Sequence, residues 1–191
     1  MPTAIIALPP MLKPGSLRAF GRPLQRISVT QYHRMMDAGV FSNGEKCELI
    51  RGAILAKAVP KPPHSFSVEV LSAFLRELVG RKFVVRSQQP VTMDDSEPEP
   101  DIAVAAGSMR DFKARHPGPD DLELLVEVVD TTLRTDRTTK LELYAEVGIK
   151  CYWIVDLVHR SVEVHMLLRG GKALGYRKPA TYKPGNSVPV M

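Results

Sequence analysis

The segment Leu122–Val129 reads Leu-Glu-Leu-Leu-Val-Glu-Val-Val. It is almost wholly apolar, and its length and β-branched content suit a strand covered on both faces. Such a strand needs neighbours in a sheet and elements packed above and below it. The pattern around it supplies them. Upstream, Phe66, Val70, Phe74 and Leu78 recur every fourth residue, with Leu71 and Leu75 beside them. That period predicts a helix over about His64–Val79, ended by Gly80, with this row as its buried face. Phe83–Arg86 predicts a strand that continues through Gln89–Met93 after a bend, and Ile102–Ala106 predicts another. Downstream, a helix over roughly Arg134–Val147 closes at Gly148. Strands over Cys151–Asp156 and Ser161–Leu168 follow. The order αβββαβ argues for an α/β or α+β fold, a mixed sheet flanked by helices.

The 191 residues fit one domain large enough to bury its own core. Sixteen prolines are spread unevenly: Pro2, Pro9, Pro10, Pro14 and Pro23 crowd residues 1–26, which reads as poorly ordered chain. The globular domain is expected over 27–168, and 169–191 as a basic tail. Net charge is +5, but residues 1–26 carry +4 and 169–191 carry +5, which leaves −4 on the domain between them. The basic character belongs to the ends and is no nucleic-acid signature in itself. No apolar run approaches the ~18 residues that span a bilayer. Ala4–Leu8 is too short, and too little led by basic residues, for a secretory signal. Two cysteines, Cys47 and Cys151, make no disulfide framework, so free thiols in the cytoplasm are expected.

Near the start of the domain, Thr30 reads as the N-cap of a helix Gln31–Ala38, closed by Gly39. Asn43-Gly44 marks a turn, and Cys47–Ile50 with Ala53–Ala58 forms a hairpin around Arg51-Gly52. Pro60, Pro62 and Pro63 argue against regular structure just ahead of His64.

Within this frame, Glu127 is an anomaly. A carboxylate in a doubly covered strand is costly unless paired or bound to a cation; the competing reading is a solvated strand end. Asp101 opens an apolar strand directly after Pro100. Adjacent strands could bring the two carboxylates to one sheet edge, where they repel unless a cation neutralises them. Oxygen-only ligands suit hard ions such as Mg2+ or Mn2+. The rest of the acidic run, Asp94, Asp95, Glu97 and Glu99, reads as a solvated loop. Lys140 stands at helical spacing from Asp136 and Tyr144, which by itself suggests no more than a surface ion pair with Asp136. His64, at a helix start where backbone N–H groups favour anions, is an accessory candidate beside a plain loop or capping role. Glu48 reads as either a metal or supporting contact or a solvated strand face. Trp153 and Tyr152 read as core. Phosphate loops, dinucleotide fingerprints, zinc sets and nucleophile elbows are missing.

Taken together, Pro100-Asp101, Leu125-Val126-Glu127-Val128-Val129, Asp136-Arg137-Thr138-Thr139-Lys140-Leu141-Glu142-Leu143-Tyr144-Ala145, Gly148 and Tyr152-Trp153-Ile154-Val155-Asp156 resemble one known group. It is the putative restriction endonuclease family, stand-alone bacterial domains of the PD-(D/E)XK nuclease superfamily. Glu48-Leu49-Ile50-Arg51-Gly52 and Pro62-Pro63-His64-Ser65 look like the same family, and the resemblance covers roughly 27–168. It implies a restriction endonuclease-like core and a divalent-metal site at Asp101 and Glu127, with the Val128 carbonyl as a third ligand. The lysine two residues after the glutamate is replaced here by Val129. The resemblance moves that role to Lys140 on the next helix. Asp130-Thr131 departs from the Ser-Pro often seen in the family, and Leu157 from a proline.

The resemblance therefore implies a Mg2+-dependent endonuclease, with Mn2+ as a possible substitute, cleaving DNA to leave a 5′-phosphate. A homodimer is expected by analogy with restriction enzymes. A catalytically inactive nucleic-acid-binding or interaction module on the same fold stays open as the alternative, as does a phosphoesterase for a small substrate.

Overall fold

The computed structural model describes residues 18–19, 22–41, 46–130, 134–168 and 175–190, with backbone only for 18–19, 22–23 and 134–137. The Asn43-Gly44 turn and the Gly170-Gly171 break lie outside the described residues. So does the Asp136 side chain.

Two short strands, β1 (Arg18–Ala19) and β2 (Arg22–Pro23), pair antiparallel ahead of α1 (Val29–Asp37). The N-cap of α1 is Ser28 rather than Thr30. The Ser28 hydroxyl accepts from the Gln31 N–H, and the Gln31 side chain accepts from the Ser28 N–H. This reciprocal box satisfies two otherwise unpaired donors, which Thr30, already inside the helix, does not do. Strands β3 (Cys47–Ile50) and β4 (Ala53–Ala56) form the expected hairpin. Its turn places Arg51 at φ 49° and Gly52 at φ 76°, the two left-handed residues that a tight hairpin turn requires.

Helix α2 (Pro62–Val79) begins earlier than expected. Pro62 and Pro63 fall in its first turn, where a missing N–H costs nothing. Its buried residues are Val68, Ser72 and Leu75. The row Phe66, Val70, Phe74 and Leu78, expected in the core, faces outward. Period alone marks a face as apolar without saying which face meets the sheet, and here the core takes the neighbouring one.

The main sheet has six strands in the order β10-β9-β8-β7-β6-β5. These are β5 (Phe83–Ser87), β6 (Ile102–Ala106), β7 (Leu122–Val129), β8 (Cys151–Asp156), β9 (Ser161–Met166) and β10 (Ala180–Tyr182). Helix α3 (Arg134–Glu146) links β7 to β8, which are parallel; the other pairs are antiparallel. The run α2-β5-β6-β7-α3-β8 is the αβββαβ order, and the mixed sheet flanked by helices is the expected fold class. Two details differ. Gln89–Met93 is not a strand: Gln88 turns the chain at φ 50°, and Val91 and Met93 donate to Pro98 and Ser96 across a loop. Strand β10 comes from beyond 168, and Val188 and Val190 pack on the α2-side core, so part of 169–191 belongs to the sheet.

Strand β7 is covered on both faces, as its composition requires. Leu125 joins Ala103, Ile154, Leu143 and Tyr144 on the α3 side. Leu124, Val126 and Val128 join Ile102, Val104, Trp153, Val68 and Leu75 on the α2 side.

Candidate active site

Strands β6 and β7 run antiparallel with Ile102 opposite Val126. One step further along this register, Asp101 lies beside Glu127 at the sheet edge. The Val128 N–H donates to Asp101 Oδ2 at 2.8 Å, which ties the carboxylate to the adjacent strand. From the first turn of α2, His64 Nε2 reaches the same oxygen at 3.1 Å. Glu127, on the α3 side of the sheet, meets Lys140 from the overlying helix, Nζ to Oε1 3.0 Å. Val129, two residues on, shares that face and packs on the α3-side core. Lys140 Nζ also stands 3.2 Å from Glu48 Oε2 on β3. The five candidate residues therefore converge, and all line one cleft of about 290 Å³.

The hairpin is held in place by its backbone. Leu49 and Glu97 exchange N–H···O bonds, and the Glu99 N–H donates to Glu48 Oε2 at 3.2 Å. Glu48 is therefore a buried partner of Lys140, not a solvated strand residue. Part of the acidic run behaves differently from the expected solvated loop. Glu97 is 2% exposed and accepts from Thr92 Oγ1 and from His33 Nε2. Glu99 pairs with Lys57 at 3.0 Å on the cleft wall. Asp94 is exposed and Asp95 reaches Arg26 at 3.8 Å.

The electrostatics follow from this geometry. Burial, countered by Lys140 and reinforced by Asp101 and Glu48, pushes the Glu127 carboxyl up to about 7. Burial pulls the Lys140 ammonium down, but Glu127 and Glu48 outweigh it and keep it charged. Burial likewise opposes the charge on Asp101, yet the His64 and Val128 hydrogen bonds hold it below its ordinary value. The Asp101 hydrogen bond raises His64. Three buried carboxylates thus share one ammonium and one imidazole, and this cluster is short of positive charge.

A hydrated divalent cation suits that deficit. Asp101 and Glu127 are adjacent hard oxygen donors, and Mg2+ takes one or two carboxylates while keeping several waters. Among the described residues no three His, Cys, Asp or Glu side chains form a ready-made ion cage, so the fit is to two carboxylates and water.

Two participants were not among the site candidates at the sequence level. The Tyr144 hydroxyl donates to Glu127 Oε1 at 3.1 Å, one turn beyond Lys140. Its only signal was the i, i+4 spacing. Lys57 reaches the cleft through the hairpin, and no local pattern announces it.

The fold has counterparts among known proteins. A solved structure described as a putative nuclease belonging to DUF820, from Anabaena variabilis ATCC 29413, superposes with a TM-score of 0.60 at 19% identity. The match covers 80% of this chain and 87% of that one, and it shows a shared fold. No curated protein matches the sequence. Residues 29–191 match Uma2, described as Putative restriction endonuclease, and the chain belongs to that family.

Proposed function

We propose that the protein is a Mg2+-dependent endonuclease hydrolysing DNA phosphodiester bonds, with Mn2+ as a working substitute. The observation that carries this reading is the ammonium of Lys140 at 3.0 Å from Glu127 Oε1, beside the Asp101–Glu127 pair. Lys140 thus brings from α3 the ammonium that Val129, in the usual lysine position of β7, does not supply.

Asp101 and Glu127 would hold the ion. When bound, it polarises a phosphodiester oxygen and acidifies water. The chain's own residues do the rest. Lys140, fixed by two carboxylates, orients the attacking water or offsets charge growing on the phosphate. Tyr144 and Glu48 fix the Glu127–Lys140 pair from either side. His64 holds the Asp101 carboxylate in position and keeps it ionised. Lys46 and Lys61 line the cleft and supply cations for the nucleic-acid backbone, beside Lys57, which pairs with Glu99. The scission leaves a 5′-phosphate.

The test is cleavage of plasmid and single-stranded DNA with Mg2+ or Mn2+, wild type beside Glu127→Ala. Metal-dependent nicking that vanishes in the variant is expected. A wild type that neither cleaves nor binds metal refutes the proposal and favours the inactive module.

A further inference from the structure

The charged groups of the site lie at the bottom of a recess. Glu48, Asp101 and Lys140 are buried, yet all three line the cleft. One wall of that cleft is a continuous apolar stretch, the end of β4 and the link to α2. Leu55, Ala56, Ala58, Val59 and Pro60 line it and are exposed, Val59 89% and Leu55 41%. Wall and carboxylates belong to one cleft, so a phosphate that reaches the carboxylates carries its neighbouring group against the wall. We propose that this neighbouring group is an unpaired base, and that the substrate is single-stranded DNA, or a single-stranded stretch of a longer DNA, in preference to the intact duplex.

Two features of the cleft select that substrate. The first is chemistry. A duplex keeps its base faces stacked inside and turns its sugars and phosphates outward. Against this wall it brings charged, hydrated groups that lose water without gaining a partner. A single strand exposes its base faces, which pack on apolar and aromatic side chains with little regard to sequence. The second is depth. At about 290 Å³ the cleft is at the small end of ligand sites and has room for about one nucleotide. A single strand bends its backbone into such a recess, whereas a duplex must first unstack and unpair.

The wall is held in shape. Ala56 pairs with Cys47 across the hairpin, the Lys57 N–H donates to the Lys46 carbonyl at 2.7 Å, and Pro60 fixes its own φ. Cations stand at both ends of it. Lys46 lies beside Lys57 at one end, and Lys61 follows Pro60 at the other. Both are exposed and suit the phosphates on either side of the one at Asp101 and Glu127. Lys57 is paired with Glu99, and Asp130 at the end of β7 is the remaining acid of the lining. The inference rests on the nuclease reading, which brings phosphate to the two carboxylates, and adds the strand preference to it.

Three fluorescein-labelled DNAs of one sequence separate the cases: a single strand, a blunt duplex, and a duplex with a single-stranded gap. With Mg2+, kcat/KM is expected to be at least about tenfold higher on the single strand than on the duplex, with cuts in the third DNA confined to the gap. Val59→Ser removes apolar area at an exposed position and should raise KM on the single strand about fivefold at unchanged kcat. Val59→Trp adds a stacking face and should lower KM by about as much. Circular dichroism and Mg2+ affinity should not move in either variant. Anisotropy of the same DNAs on Glu127→Gln, which leaves them uncut, reads the strand preference without hydrolysis. Equal cleavage of duplex and single strand overturns the inference and leaves the nuclease reading intact. So does a KM that neither Val59 variant shifts. A wild type that cuts nothing but binds single strand over duplex, with the same dependence on Val59, refutes the nuclease reading and keeps the strand preference. One that neither cuts nor prefers a single strand overturns both.

Discussion

Replacing Lys140 with methionine removes the one ammonium that Glu127 and Glu48 share while keeping most of the side-chain volume. In the wild type the Glu127 carboxyl stands at about 7 against an ordinary 4.5. A raised folded-state value means that folding favours the protonated form. That contribution is fully present below about pH 4.5 and is lost as pH rises through about 7, a swing of about 3 kcal/mol. Lys140→Met pushes Glu127 higher still, because the ion 3.0 Å away is gone. The variant's deficit should therefore be nearly constant below about pH 6 and grow above about pH 7, by about 1.4 kcal/mol per pH unit while Glu127 is ionised in the wild type and protonated in the variant. Urea unfolding of both proteins at several pH values measures it. Divalent ion provides the second arm. Removing a positive charge beside Asp101 and Glu127 should tighten Mg2+ binding, so saturating Mg2+ should stabilise the variant more than the wild type. A gain of about 2.7 kcal/mol accompanies a hundredfold excess over Kd. Cleavage should nevertheless disappear. A deficit independent of pH, or Mg2+ affinity that falls along with activity, would refute the picture of carboxylates short of positive charge.

His64 titrates above its ordinary value because of its hydrogen bond to Asp101. Its stabilising contribution is present below about 6.5 and lost as pH rises through the raised value, so His64→Ala should cost more at pH 6 than at pH 9 in unfolding experiments. Mg2+ that engages Asp101 should lower the imidazole pKa seen by NMR; an unmoved titration would place the ion elsewhere. Tyr144→Phe removes a donor to Glu127 and should cost about 1–2 kcal/mol. It should also move the acidic limb of the cleavage profile to higher pH, because the ionised form loses a hydrogen bond. Gly52→Ala meets a positive φ and a Cβ only 2.8 Å from Arg26 Cβ. A loss of roughly 1–2 kcal/mol in thermal or urea unfolding is expected.

The sequence carried the site unevenly, and the reason is distance along the chain. Strand β7 was legible because eight consecutive residues report their own burial. Asp101 and Glu127 stood out for the same reason, as charges in apolar company. Lys140 did not: its spacing suits a surface pair equally well, and only the resemblance set it over the sheet. The hairpin contributed Glu48 and Lys57 through the backbone pairing of Leu49 with Glu97, some fifty residues away, which leaves no local trace. That pairing also buries Glu97, so an acidic run that looks uniformly solvated divides: Asp94 is exposed, Asp95 is half-buried beside Arg26, and Glu97 and Glu99 are held. Helix α2 shows the opposite failure. Its apolar residues cover two adjacent faces, and period detects both as one. Only the sheet, by taking Val68 and Leu75, reveals that Phe66, Val70, Phe74 and Leu78 are left over.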